Sequence, residues 1–135
     1  MSQMTYDFPR SAMRRVMHAS NVADIKEVCY LLFGRGRRII SVIRVPNRAE
    51  DQVLNHIFLE KDFNRVRNRS SLEGLNFLGY LHSHPISKAI LSKGDIEGYP
   101  YGSLLFVYAD IYKELRAYRT RQGRPRFHEQ KIRFY

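Results

Sequence analysis

The chain has 135 residues, of which 44% are hydrophobic, with a single cysteine and a formal net charge of +10. This length predicts one domain over residues 1–135, one cysteine excludes an intramolecular disulfide, and no apolar run approaches the roughly 18 residues that span a bilayer. The N-terminus shows no basic segment followed by an apolar one, so we expect a cytoplasmic protein without a signal peptide.

The positive charge has two interpretations. It favours an anionic partner through long-range electrostatics, or it reflects a well-solvated, charge-rich surface. The arginines cluster in sequence, but no nucleic-acid-binding motif accompanies them. Nucleic acid is therefore not the expected ligand, and an acidic protein is at least as plausible.

The first part of the chain predicts a helix followed by a β-hairpin. Apolar residues at three- and four-residue spacing predict the helix over residues 9–22. Apolar runs at residues 27–33 and 37–45, separated by a glycine turn, predict two strands. Glu27 then begins a core strand, where a carboxylate is costly unless it is paired or functional. The alternative is that Glu27 ends the preceding helix and stays in solvent.

The remaining elements complete an α/β (α+β) fold. Residues 53–59 predict a third strand in which His56 faces solvent or a partner rather than a metal. Residues 62–73 predict an amphipathic helix that ends at Gly74. Further strands are predicted at residues 77–84, 103–109, 114–119 and 127–134, the last two joined by a turn at residues 122–125. His18 is expected on the surface and Cys29 in the core.

Four polar residues at the end of the 77–84 strand and just after it carry the functional prediction. His82 and His84 share one face, because side chains i and i+2 of a strand point the same way. Two imidazoles, Asp95 and an open fourth position are typical of a catalytic zinc site. Alternatively, Ser92 and Asp95 form a capping box around a helical turn. The two interpretations are compatible, since such a turn would hold Asp95 in place for a metal.

The spacing H-x-H-P, six residues, S, two residues and D resembles the signature of the JAMM (MPN+, Mov34/MPN/PAD-1) zinc metalloproteases, and archaeal homologues of the proteasome-lid deubiquitinase in particular. Residues 27–34 resemble the family's upstream segment E-x-C-G-L-L-x-G, with Tyr30 where a glycine is common. The resemblance covers residues 9–134. It implies the MPN fold, a mixed, curved β-sheet flanked by helices and similar to that of cytidine deaminases.

The resemblance also implies an activity. It implies a deubiquitinase-like isopeptidase or peptidase that removes ubiquitin or ubiquitin-like modifiers from conjugates by attack of a zinc-bound water. One Zn²⁺ per chain would be held by His82, His84 and Asp95. Glu27 would act as the general base, and Ser92 would stabilise the oxyanion.

Substrate and partners follow from the same resemblance. Tyr80 and Leu81 would line the path of the modifier's C-terminal tail, with part of the groove between residues 53 and 67. The family's long insertion after the aspartate is essentially missing at residues 96–102, which argues against strict selection of one polyubiquitin linkage. Two alternatives stay open: a peptidase for a sulfur-carrier adduct in cysteine biosynthesis, and a non-catalytic scaffold of a larger complex. The proteasome is a candidate assembly partner, and no membrane is expected.

Overall fold

The computed structural model describes residues 3–52 and 56–135 and contains one β-sheet that closes into a barrel. In chain order the elements are β1 Thr5–Phe8, α1 Arg10–Ala23, β2 Cys29–Arg35, β3 Arg38–Val45, α2 Glu60–Arg67, a 3₁₀ turn Ser70–Leu72, β4 Asn76–His84, α3 Lys93–Glu97, β5 Leu104–Ala109, β6 Glu114–Thr120 and β7 Phe127–Phe134. Among the described residues, none of the helices has the length and apolar character needed to cross a membrane.

The sheet is mixed, as the family resemblance implies. Its strand order is β1-β3-β2-β4-β5-β6-β7, and it closes where β1 pairs with β7. The pairs β4–β5, β1–β3 and β1–β7 are parallel, whereas β2–β3, β2–β4, β5–β6 and β6–β7 are antiparallel. The α+β class is therefore confirmed, with the sheet closed on itself.

The central strand β2 is buried on both faces, which explains its continuous apolar sequence. Tyr30 and Leu32 face a core shared with α1, and Leu31 and Phe33 face a second cluster that includes residues of α2 and the 3₁₀ turn. β5 is likewise buried along its whole length. Both neighbours of β4 in the sheet, β2 and β5, are thus covered on their two faces by packed side chains.

Close contact between β4 and β5 depends on a glycine. A Cβ atom on Gly79 would lie 2.4 Å from the carbonyl oxygen of Leu104, a distance that side chains do not tolerate. The parallel pairing continues from there to His84 opposite Ala109. The carboxyl ends of both strands therefore lie side by side at one end of the sheet.

The structure agrees with the predicted α1 and with six predicted strands, apart from shifts of one or two residues at their ends. The predicted strand at 53–59 is wrong for residues 56–59, which form no strand, and residues 53–55 lie outside the described residues. The helix predicted over residues 62–73 is shorter, because α2 ends at Arg67 and the chain continues into the 3₁₀ turn. The sequence analysis missed β1, a four-residue strand whose place is set by distant partners on β3 and β7.

Candidate metal centre

Two buried imidazoles lie at the carboxyl end of β4. His82 and His84 flank Ser83 and point to the same side, with 0% and 5% of their surfaces exposed. Their Nε2 atoms are 3.3 Å apart, and their ring planes meet at 57°. The nitrogen atoms of the two rings therefore converge on a common point instead of lying parallel.

The helical turn α3 brings a carboxylate to the same point. Ser92 Oγ accepts a hydrogen bond from the Asp95 amide at 3.1 Å, and the Ser92 amide donates to Asp95 Oδ2 at 2.9 Å. This is the predicted capping box, and it orients the buried Asp95 side chain. Asp95 Oδ1 lies 3.1 Å from His82 Nε2, and Oδ2 lies 3.1 Å from His84 Nε2. The capping interpretation is thus confirmed, and the position of Asp95 is compatible with the ligand interpretation.

The hydrogen bonds of His84 determine which ring nitrogen carries the hydrogen and which one presents a lone pair to Asp95. Its Nδ1 lies 2.8 Å from the Lys88 carbonyl oxygen, which can only accept, so Nδ1 carries a hydrogen. In the neutral ring, Nε2 would then turn a lone pair toward Asp95. Only a second proton or a cation makes that contact favourable. Although burial opposes its charged form, the bonds to Asp95 and to the Lys88 carbonyl raise the pKa of His84.

The other two groups have the protonation states that a metal requires. Complete burial, with the neighbouring His56, lowers the pKa of His82 to about 4. Burial opposes ionisation of Asp95, but the two imidazoles and the Ser92 amide hold the pKa of this carboxyl well below its usual range. Neutral imidazole and ionised carboxylate are the forms that bind zinc.

The donor set fits one zinc ion. Zinc–ligand distances of about 2.0–2.1 Å in a tetrahedral site imply separations of about 3.3 Å between ligand atoms. The Nε2 atoms of His82 and His84 lie 3.3 Å apart, which matches this value, and each lies 3.1 Å from a different oxygen of the Asp95 carboxylate. Three electron-rich groups held this close in a buried place are stabilised by a cation, and three protein ligands leave a fourth position open.

Glu27 lies beside this cluster. Cys29 pairs with His82 across β2 and β4, and the main chain of Val28 is bound to Ser83 through both the Ser83 hydroxyl (2.9 Å) and amide (3.0 Å). Glu27 precedes β2 by two residues, and only 8% of its surface is exposed. The alternative of a solvated residue at the end of the preceding helix is therefore wrong.

The connection between β3 and α2, of which residues 46–52 and 56–59 are described, holds Glu27 from the other side. The Glu27 amide donates to the Gln52 carbonyl at 2.7 Å, and Asn47 Nδ2 donates to the Glu27 carbonyl at 3.2 Å. The Glu27 carboxylate and the His82 ring offer atoms within 4.8 Å of each other. The residues that were singled out by two separate motifs are thus brought together.

His56, on this same connection, joins the site in a way that the sequence analysis did not foresee. Its side chain is 7% exposed, lies 2.9 Å from Glu27 Oε1 and 2.5 Å from the Tyr99 hydroxyl, and stacks on the His82 ring. The prediction that His56 faces solvent or a partner is wrong. A single histidine in an irregular segment has no spacing pattern that would have revealed this contact.

A pocket of about 290 Å³ opens over the site, and its walls combine aromatic side chains with glycines. It is lined by His56, Ile57, Phe58, Tyr80, Ser92, Gly94, Asp95, Gly98, Tyr99 and Pro100. Tyr80 lines this pocket, where the resemblance placed it. Leu81 does not: it is fully buried in the core shared with α1, because adjacent strand residues face opposite sides. The expectation that Leu81 contacts substrate is corrected.

Two further residues lie where the sequence analysis put them. Cys29 is fully buried, and burial raises the pKa of its thiol, so the thiol is unreactive. His18 is exposed on α1, away from the site. Neither residue contributes to the chemistry of the cluster.

Comparison with solved structures shows the same fold in distant proteins. A solution structure of a Desulfitobacterium hafniense protein matches with a TM-score of 0.79 and 18% identity, over 98% of this chain and 93% of that one. A crystal structure of a JAB1/MPN domain protein from Archaeoglobus fulgidus matches with a TM-score of 0.61 and 18% identity, over 98% and 100% of the two chains. A structure described as a metalloprotease-like zinc site in the proteasome and signalosome, named JAMM, matches with a TM-score of 0.56 and 18% identity, over 98% and 99%.

At these identities the structural matches show the fold alone. No curated protein sequence matches the chain. The family model for prokaryotic homologs of the JAB domain, in contrast, matches residues 9–121, which include both motifs and every ligand candidate. The chain therefore belongs to the prokaryotic JAB-domain family.

Proposed function

We propose that this protein is a zinc-dependent peptidase or isopeptidase that removes ubiquitin or ubiquitin-like modifiers from their conjugates. The observation that carries the proposal is the convergence of His82, His84 and Asp95 to within 3.1–3.3 Å, with Glu27 beside them and a pocket leading to them. A scaffold that has no catalytic role does not need a buried carboxylate next to a complete ligand set. We further propose that the protein acts in the cytoplasm.

Each residue of the site has a role that its surroundings permit. Zn²⁺, when bound, supplies a Lewis acid that polarises the scissile carbonyl and lowers the pKa of water. Glu27 accepts the proton of the attacking water and returns it to the leaving amine, a role that contributes roughly 10²–10⁴-fold. Its carboxylate is buried and has an oxygen within 4.8 Å of a nitrogen of the His82 ring, which places it beside the ligand cluster.

Ser92 is suited to stabilise the oxyanion. Its Oγ already accepts the Asp95 amide hydrogen at 3.1 Å, so the hydroxyl hydrogen is free to point into the pocket that Ser92 lines. A hydrogen bond of this kind to the developing negative charge is typically worth about 3–4 kcal/mol. One side chain thus caps α3 and offers a donor to the substrate.

The pocket favours a narrow, extended tail. Phe58, Tyr80 and Tyr99 pack with ring centroids 4.7–6.1 Å apart and form an aromatic wall, and Gly94 and Gly98 also line the pocket. Modifier tails that end in glycines are narrow enough to lie along such an aromatic wall. Because β4 is paired with β2 and β5, the tail does not add as a strand to β4. It instead crosses the pocket next to the described residues 56–59.

Cleavage assays with matched substrates test the proposal. A ubiquitin-like modifier and a sulfur-carrier protein, each fused through its C-terminal tail to a fluorescent protein, are incubated with the zinc-loaded enzyme, with and without a chelator. We expect cleavage of the modifier fusion that the chelator abolishes. The Glu27→Gln variant should keep its zinc, while kcat falls at least about 10²-fold.

The outcomes separate the alternatives. Preferential cleavage of the sulfur-carrier fusion would assign the protein to sulfur-carrier processing. Full zinc occupancy without cleavage of either fusion would support a scaffold. A Glu27→Gln variant that hydrolyses at the normal rate would remove the general base from the mechanism.

A further inference from the structure

His56 is the buried polar group of the site that the proposed mechanism leaves without a role. Nδ1 lies 2.9 Å from Glu27 Oε1, and Nε2 lies 2.5 Å from the Tyr99 hydroxyl. Its ring stacks on His82, with centroids 4.0 Å apart and planes at 20°. Both ring nitrogens and one face of the ring thus contact residues of the site.

The stacking argues against His56 as a metal ligand. Glu27, His56 and His82 have potential ligand atoms within 4.8 Å of one another, so distance alone would allow a second metal site. An imidazole binds a metal in the plane of its ring, along the nitrogen lone pair. The nearly parallel rings of His56 and His82 direct their lone pairs side by side, whereas the 57° angle between His82 and His84 makes theirs converge.

The partners of His56 instead define a directed chain of hydrogen bonds. An ionised Glu27 carboxylate can only accept, so Nδ1 of His56 carries the hydrogen. In the neutral ring Nε2 then accepts, and the Tyr99 hydroxyl donates to it. Burial raises the pKa of Tyr99 well above its usual value, which keeps this hydroxyl protonated. The chain runs from Tyr99 through His56 to Glu27.

We propose that His56, oriented by Tyr99, is a positioning residue that fixes the Glu27 carboxylate next to the metal centre. The proposal rests on the proposed function of Glu27 as the general base. Among the described residues, His56 is the one that forms a hydrogen bond with the Glu27 carboxylate. Without it, the carboxylate is held only through its backbone and can rotate away from the attacking water. Such groups behind a catalytic site typically contribute about 10–100-fold.

Substitutions at His56 separate positioning from simple packing. The amide nitrogen of asparagine reaches the place of Nδ1, whereas that of glutamine reaches the place of Nε2. In the zinc-loaded enzyme we expect His56→Ala and His56→Gln to lower kcat about 10–100-fold with little change in KM. His56→Asn should restore most of kcat because it again donates to Glu27. Equal losses in the Asn and Gln variants would overturn the proposal, and so would a change confined to KM.

Tyr99 has a matched control two residues away. Tyr99→Phe removes the hydroxyl that faces His56, and we expect a smaller loss of kcat than His56→Ala gives. Tyr101 is 58% exposed, and Tyr101→Phe should leave kcat unchanged. Equal rates for the two variants would remove Tyr99 from the chain of hydrogen bonds.

Nuclear magnetic resonance of isotope-labelled histidine provides a readout that needs no substrate. In the metal-free and zinc-loaded protein, we expect His56 to be the tautomer with hydrogen on Nδ1, and Tyr99→Phe to shift only its Nε2 resonance. A hydrogen on Nε2 would overturn the proposal. In cadmium-substituted protein, spin coupling of His56 to the metal would assign it as a ligand instead. Because this result is independent of turnover, it stands or falls separately from the proposed peptidase activity.

Discussion

Two regions of the molecule contribute histidines to one site, and they are held by different means. The carboxyl end of β4 is fixed by main-chain pairing to β2 and β5 on both sides, and it carries His82 and His84. The described part of the β3–α2 connection carries His56, and side chains help to hold it, including Arg48, which binds Asp62 through two hydrogen bonds of 2.9 and 3.0 Å. The two histidine ligand candidates thus sit on backbone geometry that few substitutions can change. The residue proposed to orient the base depends on a side-chain anchor.

The largest expected effect concerns the ligand candidates, His82 on β4 and Asp95 on α3. His82→Ala or Asp95→Ala removes a ligand from a three-ligand set, so zinc affinity should fall by more than the roughly 10²-fold that loss of a supporting residue causes. Peptidase activity should disappear with the zinc. Competition with a metal-binding dye measures the affinity, and the exposed His18→Ala variant is the control. If His56→Ala lowered the zinc affinity as much as His82→Ala does, His56 would be a ligand and the proposed difference between the two regions would be wrong.

Protonation of the β4 pair offers a second test. The pKa of His84 is raised in the metal-free protein, and that of His82 is lowered to about 4 from an ordinary value of 6.5. Between pH 5 and 6.5, His84 therefore binds a proton that zinc must displace, and His82 does not. Zinc affinity should fall about tenfold for each unit of pH lowered in this window, with about one proton released per ion. Calorimetry in buffers of different ionisation enthalpy counts the protons, and release of two would mean that His82 is also charged.

The smallest expected effect concerns the side-chain anchor of the connection. Arg48→Ala should lower kcat roughly threefold to tenfold, less than the approximately 10²-fold loss from a full 1 Å displacement of a catalytic group. Zinc affinity should stay within about twofold, because β4 is untouched. Arg65→Ala is the matched control, because it also removes a positive charge next to Asp62. The Arg65 side chain is 59% exposed, and its guanidinium lies 3.3 Å from Asp62 Oδ1. Equal effects of the two substitutions would attribute the loss to charge rather than to anchoring.

The sequence predicted what local spacing encodes. His82 and His84 follow from the two-residue period of a strand, and the capping box at Ser92 and Asp95 follows from a local contact within one helical turn. The sequence also predicted β2 and β5, because strands that are buried on both faces have continuous apolar sequences.

What the sequence did not reveal depends on distant partners. β1 is four residues long and is defined by pairing with β7, more than 120 residues away in the chain. Residues 57–59 form a short apolar run that is typical of a strand, yet they lie beside the pocket as irregular chain, with Phe58 packed on Tyr80. His56 acquires its role only through Glu27 and Tyr99, which come from two other parts of the fold. No local pattern records such contacts.

The seam between β1 and β7 has a consequence for how this barrel assembles. β1 lies between β3 and β7 and is parallel to both, so closure joins the two ends of the described chain. Contacts between such distant segments carry the largest loop-closure cost and slow folding. Until β1 docks, β3 and β7 each present an unpaired edge, which is the kind of surface on which partly folded chains associate. The strand pairs that position His82 and His84, β2–β4 and β4–β5, include neither β1 nor β7, so they can form before the barrel is complete.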